Sequence, residues 1–218
     1  MHAVDVKSAY LYGKLDEEIY MQQPQGFLEK GKENLVWRLT RALYGLKQGG
    51  LAWWHELEAS MKRMGFTCLQ SDAGIFFNKK YGIIIIAYVD DCIFLGKDLK
   101  RVLQAKEAFM EIWECRDLGE VKEFLRMRIW HQGRKLILDQ HDYLEKVVQR
   151  FKLQKSNAAH TPLPFGYEPE ENKETATAAH RLEYQSVIGS LLYIMLGTRP
   201  DVSFAVIKMA QFSANPLS

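Results

Sequence analysis

Residues 74–96 constrain this chain most tightly. Gly74-Ile75-Phe76-Phe77 is followed, after a short polar break, by Tyr81 to Val89 with four consecutive isoleucines at Ile83 to Ile86, and then by Cys92 to Gly96. Apolar runs this short and this rich in β-branched and aromatic residues read as strands. The isoleucine run predicts a central strand buried on both faces. Asp90-Asp91 is a two-residue connection between two of these runs, which predicts a β-hairpin with carboxylates at its tip.

Adjacent carboxylates repel, and burying either one alone is costly. A divalent cation removes both problems, and Mg²⁺ binds through one or two carboxylates plus water and substrate phosphate. The same two residues would also suit a solvated Asp-Asp turn that merely favours the hairpin. Asp5 bears on the choice. It stands at the end of His2 to Val6, a short segment with Val4 and Val6 on alternate positions that reads as a strand. If that strand lies beside the hairpin, three carboxylates converge, a set that can hold two metal ions about 3.5–4 Å apart for in-line phosphoryl transfer. If it does not, Asp5 is an ordinary strand-end aspartate.

The remaining segments frame this hairpin. Ala9 to Met21 suits a bent strand or loop crossing, and Gln22 to Glu33, with Pro24, Gly26 and Gly31, is a loop. Leu35 to Leu39 reads as a strand, and Ala52 to Met64 as a helix closed by Gly65. Asp98 to Cys115 is predicted as an amphipathic helix with Leu99, Val102, Leu103, Phe109, Ile112 and Trp113 on one stripe. Phe124 to Trp130 and Leu136 to Leu138 flank a second hairpin at Gln132-Gly133, and His141 to Phe151 is a helix. Lys155 to His180 carries Pro162, Pro164 and Pro169 and reads as a long surface loop. Leu182 to Leu196 and Asp201 to Ser213 are two closing helices, with Pro200 at a permitted helix start. The fold class expected is α+β: a small antiparallel sheet packed on helices, then a hairpin, then helices.

Composition narrows the class further. With 47% hydrophobic and 26% charged residues the chain is ordinary for a globular protein. Purely apolar runs such as Ile83 to Tyr88 are too short to span a bilayer, so no membrane partner is expected. The three cysteines, Cys68, Cys92 and Cys115, form no CxxC pair, which argues against a zinc knuckle or a disulfide framework. A formal net charge of +2 says little about partners. Lys100, Arg101 and Lys106 on one predicted helix, and Arg126, Arg128, Arg134 and Lys135 on one predicted hairpin, read as solvated faces.

A family resemblance rests on several strings in order. DVKSAYLYGKLDEEIYMQQPQGF (Asp5 to Phe27), LTRALYGLKQGGLAWW (Leu39 to Trp54) and YVDD (Tyr88 to Asp91) resemble the three leading motifs of copia-type retrotransposon reverse transcriptases. DLGEVKEFL (Asp117 to Leu125), TPL (Thr161 to Leu163) and YQSVIGSLLYIMLGTRPDVSFAV (Tyr184 to Val206) follow in the family's order. YVDD alone is a weak signal; the ordered set is a strong one and covers nearly the whole chain.

The resemblance implies a polymerase palm over residues 1–140, including partial fingers and a primer-gripping hairpin at 122–140. Residues 141–218 would be a helical thumb and the start of a connection, with the loop at 155–180. It implies Asp5, Asp90 and Asp91 as catalytic residues. These three and Val6 would bind metal: two Mg²⁺ ions, with Mn²⁺ as an alternative. Ser8, Ala9, Tyr10 and Gln48 would meet the nucleotide, Ser8 and Ala9 through backbone N–H groups and Tyr10 as the ring that excludes a 2′-hydroxyl. Phe124, Leu125 and Arg126 would hold the primer end. Partners would be an RNA or DNA template with primer, deoxynucleotides, and the ribonuclease H and integrase parts of a parent polyprotein. The location would be the cytoplasm, in a virus-like particle, with the nucleus as the alternative.

The chain departs from the family pattern at two places. Gly49-Gly50-Leu51 stands where a small residue, a proline and an arginine usually follow GLKQ, which predicts a looser helix start and one cation fewer near the nucleotide. Arg126 stands where the primer-gripping hairpin usually has glycine. The sequence also opens four residues before Asp5, without the basic fingers segment or the following ribonuclease H domain, and so reads as a fragment, a degenerate copy or a minimal version. Three functions are open: an RNA-directed DNA polymerase; a non-catalytic remnant that keeps the fold and binds nucleic acid or protein; and a metal-dependent nuclease or cyclase on a palm-like sheet. GLKQ and TRPD have no place in the third.

Overall fold

A computed structural model describes residues 1–217. The chain divides into two compact units, Met1–Val121 and Lys122–Ser218. The break precedes the second hairpin, which therefore shares a unit with the C-terminal helices.

The first unit is built on β1 (His2–Val6), β2 (Tyr20–Gln22), β3 (Val36–Arg38), α1 (Gly49–Arg63), β4 (Thr67–Cys68), β5 (Ile75–Asn78), β6 (Ile83–Tyr88), β7 (Asp91–Gly96), α2 (Leu99–Ile112) and β8 (Cys115–Glu120). β2 and β3 pair separately, while the other strands form a six-stranded sheet in the order β4-β5-β6-β7-β1-β8. Its strand pairings are antiparallel. β8 was not apparent in the sequence: Arg116, Asp117 and Glu120 break the apolar pattern that marks a strand. The predicted helix accordingly stops at Ile112, short of Cys115.

Val4 and Val6, Phe76, Ile83 and Ile85, and Cys92 and Phe94 gather on one face of this sheet, against Trp53, Leu57 and Met61 of α1 and Val102 and Phe109 of α2. The isoleucine strand is not buried on both faces. Ile83 and Ile85 lie in the core at 3% and 0% exposure, whereas Ile84 is 45% exposed. In an antiparallel sheet the period is two, and a second face need not be covered; four identical residues conceal that alternation. The helical stripe is also narrower than expected. Leu99 and Ile112 of α2 are exposed, while Lys106, expected on the solvated face, is buried and bonds Asp117 of β8 at 2.6 Å.

Each element has a local cause. Asp98 caps α2 by accepting from the Lys100 and Arg101 amides, a frequent N-cap arrangement. Gly65, at φ +79°, follows the last turn of α1. α1 begins at Gly49, earlier than expected: a Cβ on the buried Gly49 would sit 3.2 Å from the Leu43 carbonyl oxygen and 3.6 Å from the Tyr10 ring.

The second unit contains β9 (Glu123–Phe124), β10 (Met127–Gln132), β11 (Lys135–Asp139), α3 (His141–Arg150), α4 (Ala178–Gly197) and α5 (Ser203–Ala210). α4 starts before the predicted Leu182, because Thr177 accepts a capping bond from the His180 amide. The irregular segment before it is tied down by Asn215, whose side chain bonds the main chain of Asn172, Glu174 and Ala176. Gln140, 2% exposed, donates to the Tyr193 carbonyl and accepts from Thr198.

Phe124 pairs with Met127, so Leu125 and Arg126 are the two loop residues between β9 and β10, at φ +50° and +61°. Positive φ at both positions is the type I′ pattern, which favours glycine and asparagine. Arg126 thus keeps a backbone shape suited to glycine at a steric cost. Arg126→Gly should raise unfolding stability by about 1 kcal/mol, read from the urea midpoint; an unchanged or lower midpoint would show that the arginine carries no backbone strain.

Candidate functional site

The hairpin that carries the paired aspartates differs in register from its predicted form. Tyr88 pairs with Asp91, so the loop residues are Val89 and Asp90, and Asp91 is the first residue of β7. Val89 has φ +56°, an outlier for a β-branched residue. This strain persists because both loop carbonyls are held. The Trp53 indole N–H donates to the Val89 carbonyl at 2.7 Å, and the Val6 amide donates to the Asp90 carbonyl at 2.7 Å. Trp53 is buried and meets Trp113 edge-on at 4.9 Å, and the Trp113 N–H bonds Ser60. Helix α1 and strand β1 thus clamp the turn from two sides. The sequence offered no sign of this role for Trp53, since an indole at helical spacing reads as core.

β1 lies between β7 and β8, with Asp5 opposite Asp91 on one side and Arg116 on the other. Cross-strand partners project to the same face, and Val4 and Val6 belong to the core, so Asp5, Asp91 and Arg116 share the opposite face at one end of the sheet. Arg116 approaches the Asp5 carboxylate at 3.7 Å. Burial, then the negative charges of Asp90 and Asp5, push the Asp91 carboxyl above its ordinary range, and Arg116 opposes them. The three predicted aspartates are therefore neighbours that feel one another. Among the described residues, however, no three His, Cys, Asp or Glu side chains are gathered as a ready metal centre. The donor set still suits a hard cation: carboxylate oxygens on adjoining strands with charge left uncompensated. Val6 can contribute only main-chain atoms, because its side chain is 1% exposed and in the core.

After Asp5 the chain turns through Ser8, at φ +53°, into a single 3-10 turn, Ala9–Tyr12. Ser8 is exposed and Ala9 fully buried. Gly13, which follows, approaches α1 so closely that a Cβ there would lie 2.8 Å from the Trp53 nitrogen. The Tyr10 ring stacks on Tyr44, with centroids 4.7 Å apart and planes tilted by 34°. Burial first, and then the Asp90 charge, raise the Tyr44 hydroxyl above its usual range. Tyr44 is thus part of the same neighbourhood, although nothing local in the sequence marks it. Tyr10, Trp53 and Val89 also line a small cavity of about 130 Å³ with Gly50 and Ala87. Gln48 precedes α1, is exposed, and donates to Glu17 at 3.0 Å.

Phe124, Leu125 and Arg126 lie in the second unit, Phe124 at the end of β9 and the other two in the β9–β10 loop. Leu125 accepts a hydrogen bond from the Tyr193 hydroxyl at 2.7 Å. On the same hairpin, the Arg128 guanidinium holds the Asp139 carboxyl down at about 2.

Residues 1–164 match the family model described as reverse transcriptase (RNA-dependent DNA polymerase). The chain belongs to this reverse transcriptase family. Its relatives place it in the copia-type retrotransposon branch. This reverse transcriptase segment is 36% identical to the retrovirus-related Pol polyprotein from transposon TNT 1-94 of Nicotiana tabacum, over 98% of the chain and 17% of that protein. It is 32% identical to the Pol polyprotein from transposon RE1 of Arabidopsis thaliana, over 98% of the chain and 14% of that protein. It is also 30% identical to the putative transposon Ty5-1 protein of Saccharomyces cerevisiae, over 98% of the chain and 70% of that protein. No solved structure matches the chain.

Two measurements check the geometry. Trp53→Phe leaves the Val89 carbonyl without its donor and should cost about 2 kcal/mol. Trp54→Phe, which removes a bond from the less buried indole to the Ala73 carbonyl, should cost under about 1 kcal/mol; equal losses in urea unfolding would refute the clamp. For Asp91, a raised native pKa means that the native state holds its proton to higher pH than the unfolded chain, so this group's contribution to stability falls as pH rises through that window. Asp91→Asn should therefore melt higher than the parent at pH 7 in EDTA. The gap should close below pH about 4, where the carboxyl is protonated in both states; a gap independent of pH would remove the electrostatic cause.

Proposed function

We propose that this chain carries the polymerising centre of a retrotransposon reverse transcriptase and adds deoxynucleotides to a primer 3′-end copied from RNA. The observation that carries the reading is the register of β1: Asp5 faces Asp91 across one strand pairing, and Asp90 occupies the adjoining turn. In the reaction the primer 3′-oxygen forms a bond to the α-phosphorus, the α–β phosphoanhydride bond breaks, the hydroxyl proton is released and pyrophosphate leaves. Charge builds on both oxygens. Two Mg²⁺ ions, or Mn²⁺, held by Asp5, Asp90, Asp91 and the Val6 carbonyl would supply neutralisation of that charge and a more acidic 3′-hydroxyl.

The chain's own groups position the reactants. The clamp on Val89 and Asp90 holds the turn before substrate arrives, so its ordering is not a cost of the reaction step. The Tyr10 ring, backed by Tyr44 and by the close approach of Gly49, forms a rigid floor for a sugar without a 2′-hydroxyl. The main-chain N–H group of the exposed Ser8 suits a triphosphate oxygen, because a backbone donor loses no side-chain entropy on binding; that of Ala9, fully buried here, would join it only once the turn uncovers it. Gln48, exposed beside the start of α1, would face the nucleotide and template after leaving Glu17. Residues 1–140 are the palm in this reading, and residues 141–218 the thumb, which would follow an A-form-like duplex through its backbone. Phe124, Leu125 and Arg126 would hold the primer end.

Primer extension on an RNA template with Mg²⁺ tests the proposal. EDTA should abolish extension, and Asp90→Asn should lower it by at least about 100-fold with the fold intact by circular dichroism. Tyr10→Val should admit ribonucleotides. No extension by the parent chain, alongside measurable duplex binding, would favour the non-catalytic remnant; extension that survives Asp90→Asn would refute the metal assignment.

A further inference from the structure

The end of the six-stranded sheet remote from Asp90 has features that the polymerase reading does not use. Ile83 pairs with Gly96, so the β5–β6 turn and the β7–α2 turn emerge side by side. The first carries Lys79 and Lys80, and the second leads through Lys97 to Lys100 and Arg101, all exposed. Arg101 has an ion-pair partner in Asp98, at 3.3 Å; among the described residues the four lysines have none. In a chain of formal net charge +2 this is a local concentration of positive charge, of the kind that draws polyanions.

Tyr81 stands within this patch and is 44% exposed. Lys80 Nζ lies 5.0 Å from its ring centroid and Arg101 Cζ 4.8 Å, both within cation–π range. The Tyr81 amide donates to Asn78, whose buried side chain also bonds the Gly65 carbonyl, so the turn is held to the end of α1. Beside the ring opens a cleft of about 610 Å³. Met64, Phe66, Ile83 and Ala105 are among its apolar lining, and Arg101 and Gln104 are among its polar lining. That volume is in the range of small-ligand sites.

We propose that this end of the sheet binds single-stranded nucleic acid, with a base stacked on Tyr81 at the cleft and phosphates on the surrounding lysines and Arg101. Sequence-independent single-strand sites combine a cationic track with an exposed aromatic ring, since every base has a face that stacks. A duplex offers no free base face to such a ring. An acidic peptide would use the cations but has no need of the ring or the cleft. β6 separates this patch from Asp90 by about 20 Å, so it is a second site, and it does not depend on catalysis at the carboxylates.

The test is fluorescence anisotropy of a labelled 12-nucleotide oligouridylate with the full chain, in EDTA and without deoxynucleotides. Binding should weaken with salt at a slope of roughly −3 in log–log form, as for four or five phosphates on single strands. Tyr81→Ala should weaken it about tenfold, while Tyr81→Phe, which keeps the stacking face, should stay within about twofold. Lys79→Ala with Lys80→Ala should reduce the salt slope by roughly one, and Lys30→Ala, at an exposed lysine outside both sites, should change nothing. A 5-bromouridine oligonucleotide should crosslink to the peptide containing Tyr81. Parent-like affinity in the Tyr81 and lysine variants, crosslinks confined to other peptides, or displacement by polyglutamate as efficient as by oligouridylate would each overturn the proposal. Failure here leaves primer extension untouched, and a chain unable to extend a primer can still pass.

Discussion

The antiparallel placement of β1 between β7 and β8 is the constraint on which the site depends. It sets Asp5 opposite Asp91 and gives Asp5 a cation, Arg116, on its other side. The same register delivers the Val6 amide to the Asp90 carbonyl. A slip of one residue would send Asp5 into the core and bring Val4 and Val6 out. Burial of Val4 and Val6 therefore protects the carboxylate arrangement as firmly as any contact made by the carboxylates themselves.

The site is held at a cost in stability. Val89 and Ser8 have left-handed backbone conformations that suit neither residue, and Asp91 is partly buried beside two like charges. Such strain persists where the surroundings over-determine it. Here those surroundings are Trp53 with its Trp113 and Ser60 neighbours, and the close passage of Gly13 over α1. The pair between buried Lys106 and the exposed Asp117 attaches α2 to β8, the strand that carries Arg116. The cationic end beyond Gly96 is built differently, on exposed turns that hold no left-handed non-glycine residue. This is consistent with recruitment of a polyanion and not with chemistry on one.

Much of the site was legible because its residues obey local rules. Asp90 and Asp91 between two short apolar runs announced a hairpin, and the stripe of apolar residues from Asp98 to Cys115 announced an amphipathic helix. The misreadings share one cause: their outcome depended on a neighbour distant in sequence. Lys106 looked solvated because nothing local shows that Asp117 will reach it. β8 was not apparent because an edge strand beside β1 needs no apolar alternation of its own. Tyr44 and Trp53 looked like ordinary aromatic residues until the fold brought one to Tyr10 and the other to the Val89 carbonyl.

By itself the sequence determined most of the strands and helices in their order, the pairing of two aspartates with a tight turn, and the family that those motifs mark. Alternation, capping and turn chemistry act over a few residues, so they can be read along the chain. The tertiary structure alone decided which loop residue bears the strain, that Asp5 meets Asp91 across a strand pairing, and that only one face of the isoleucine strand is buried. Those outcomes come from register and packing between segments some eighty-five residues apart, a separation over which no local preference acts.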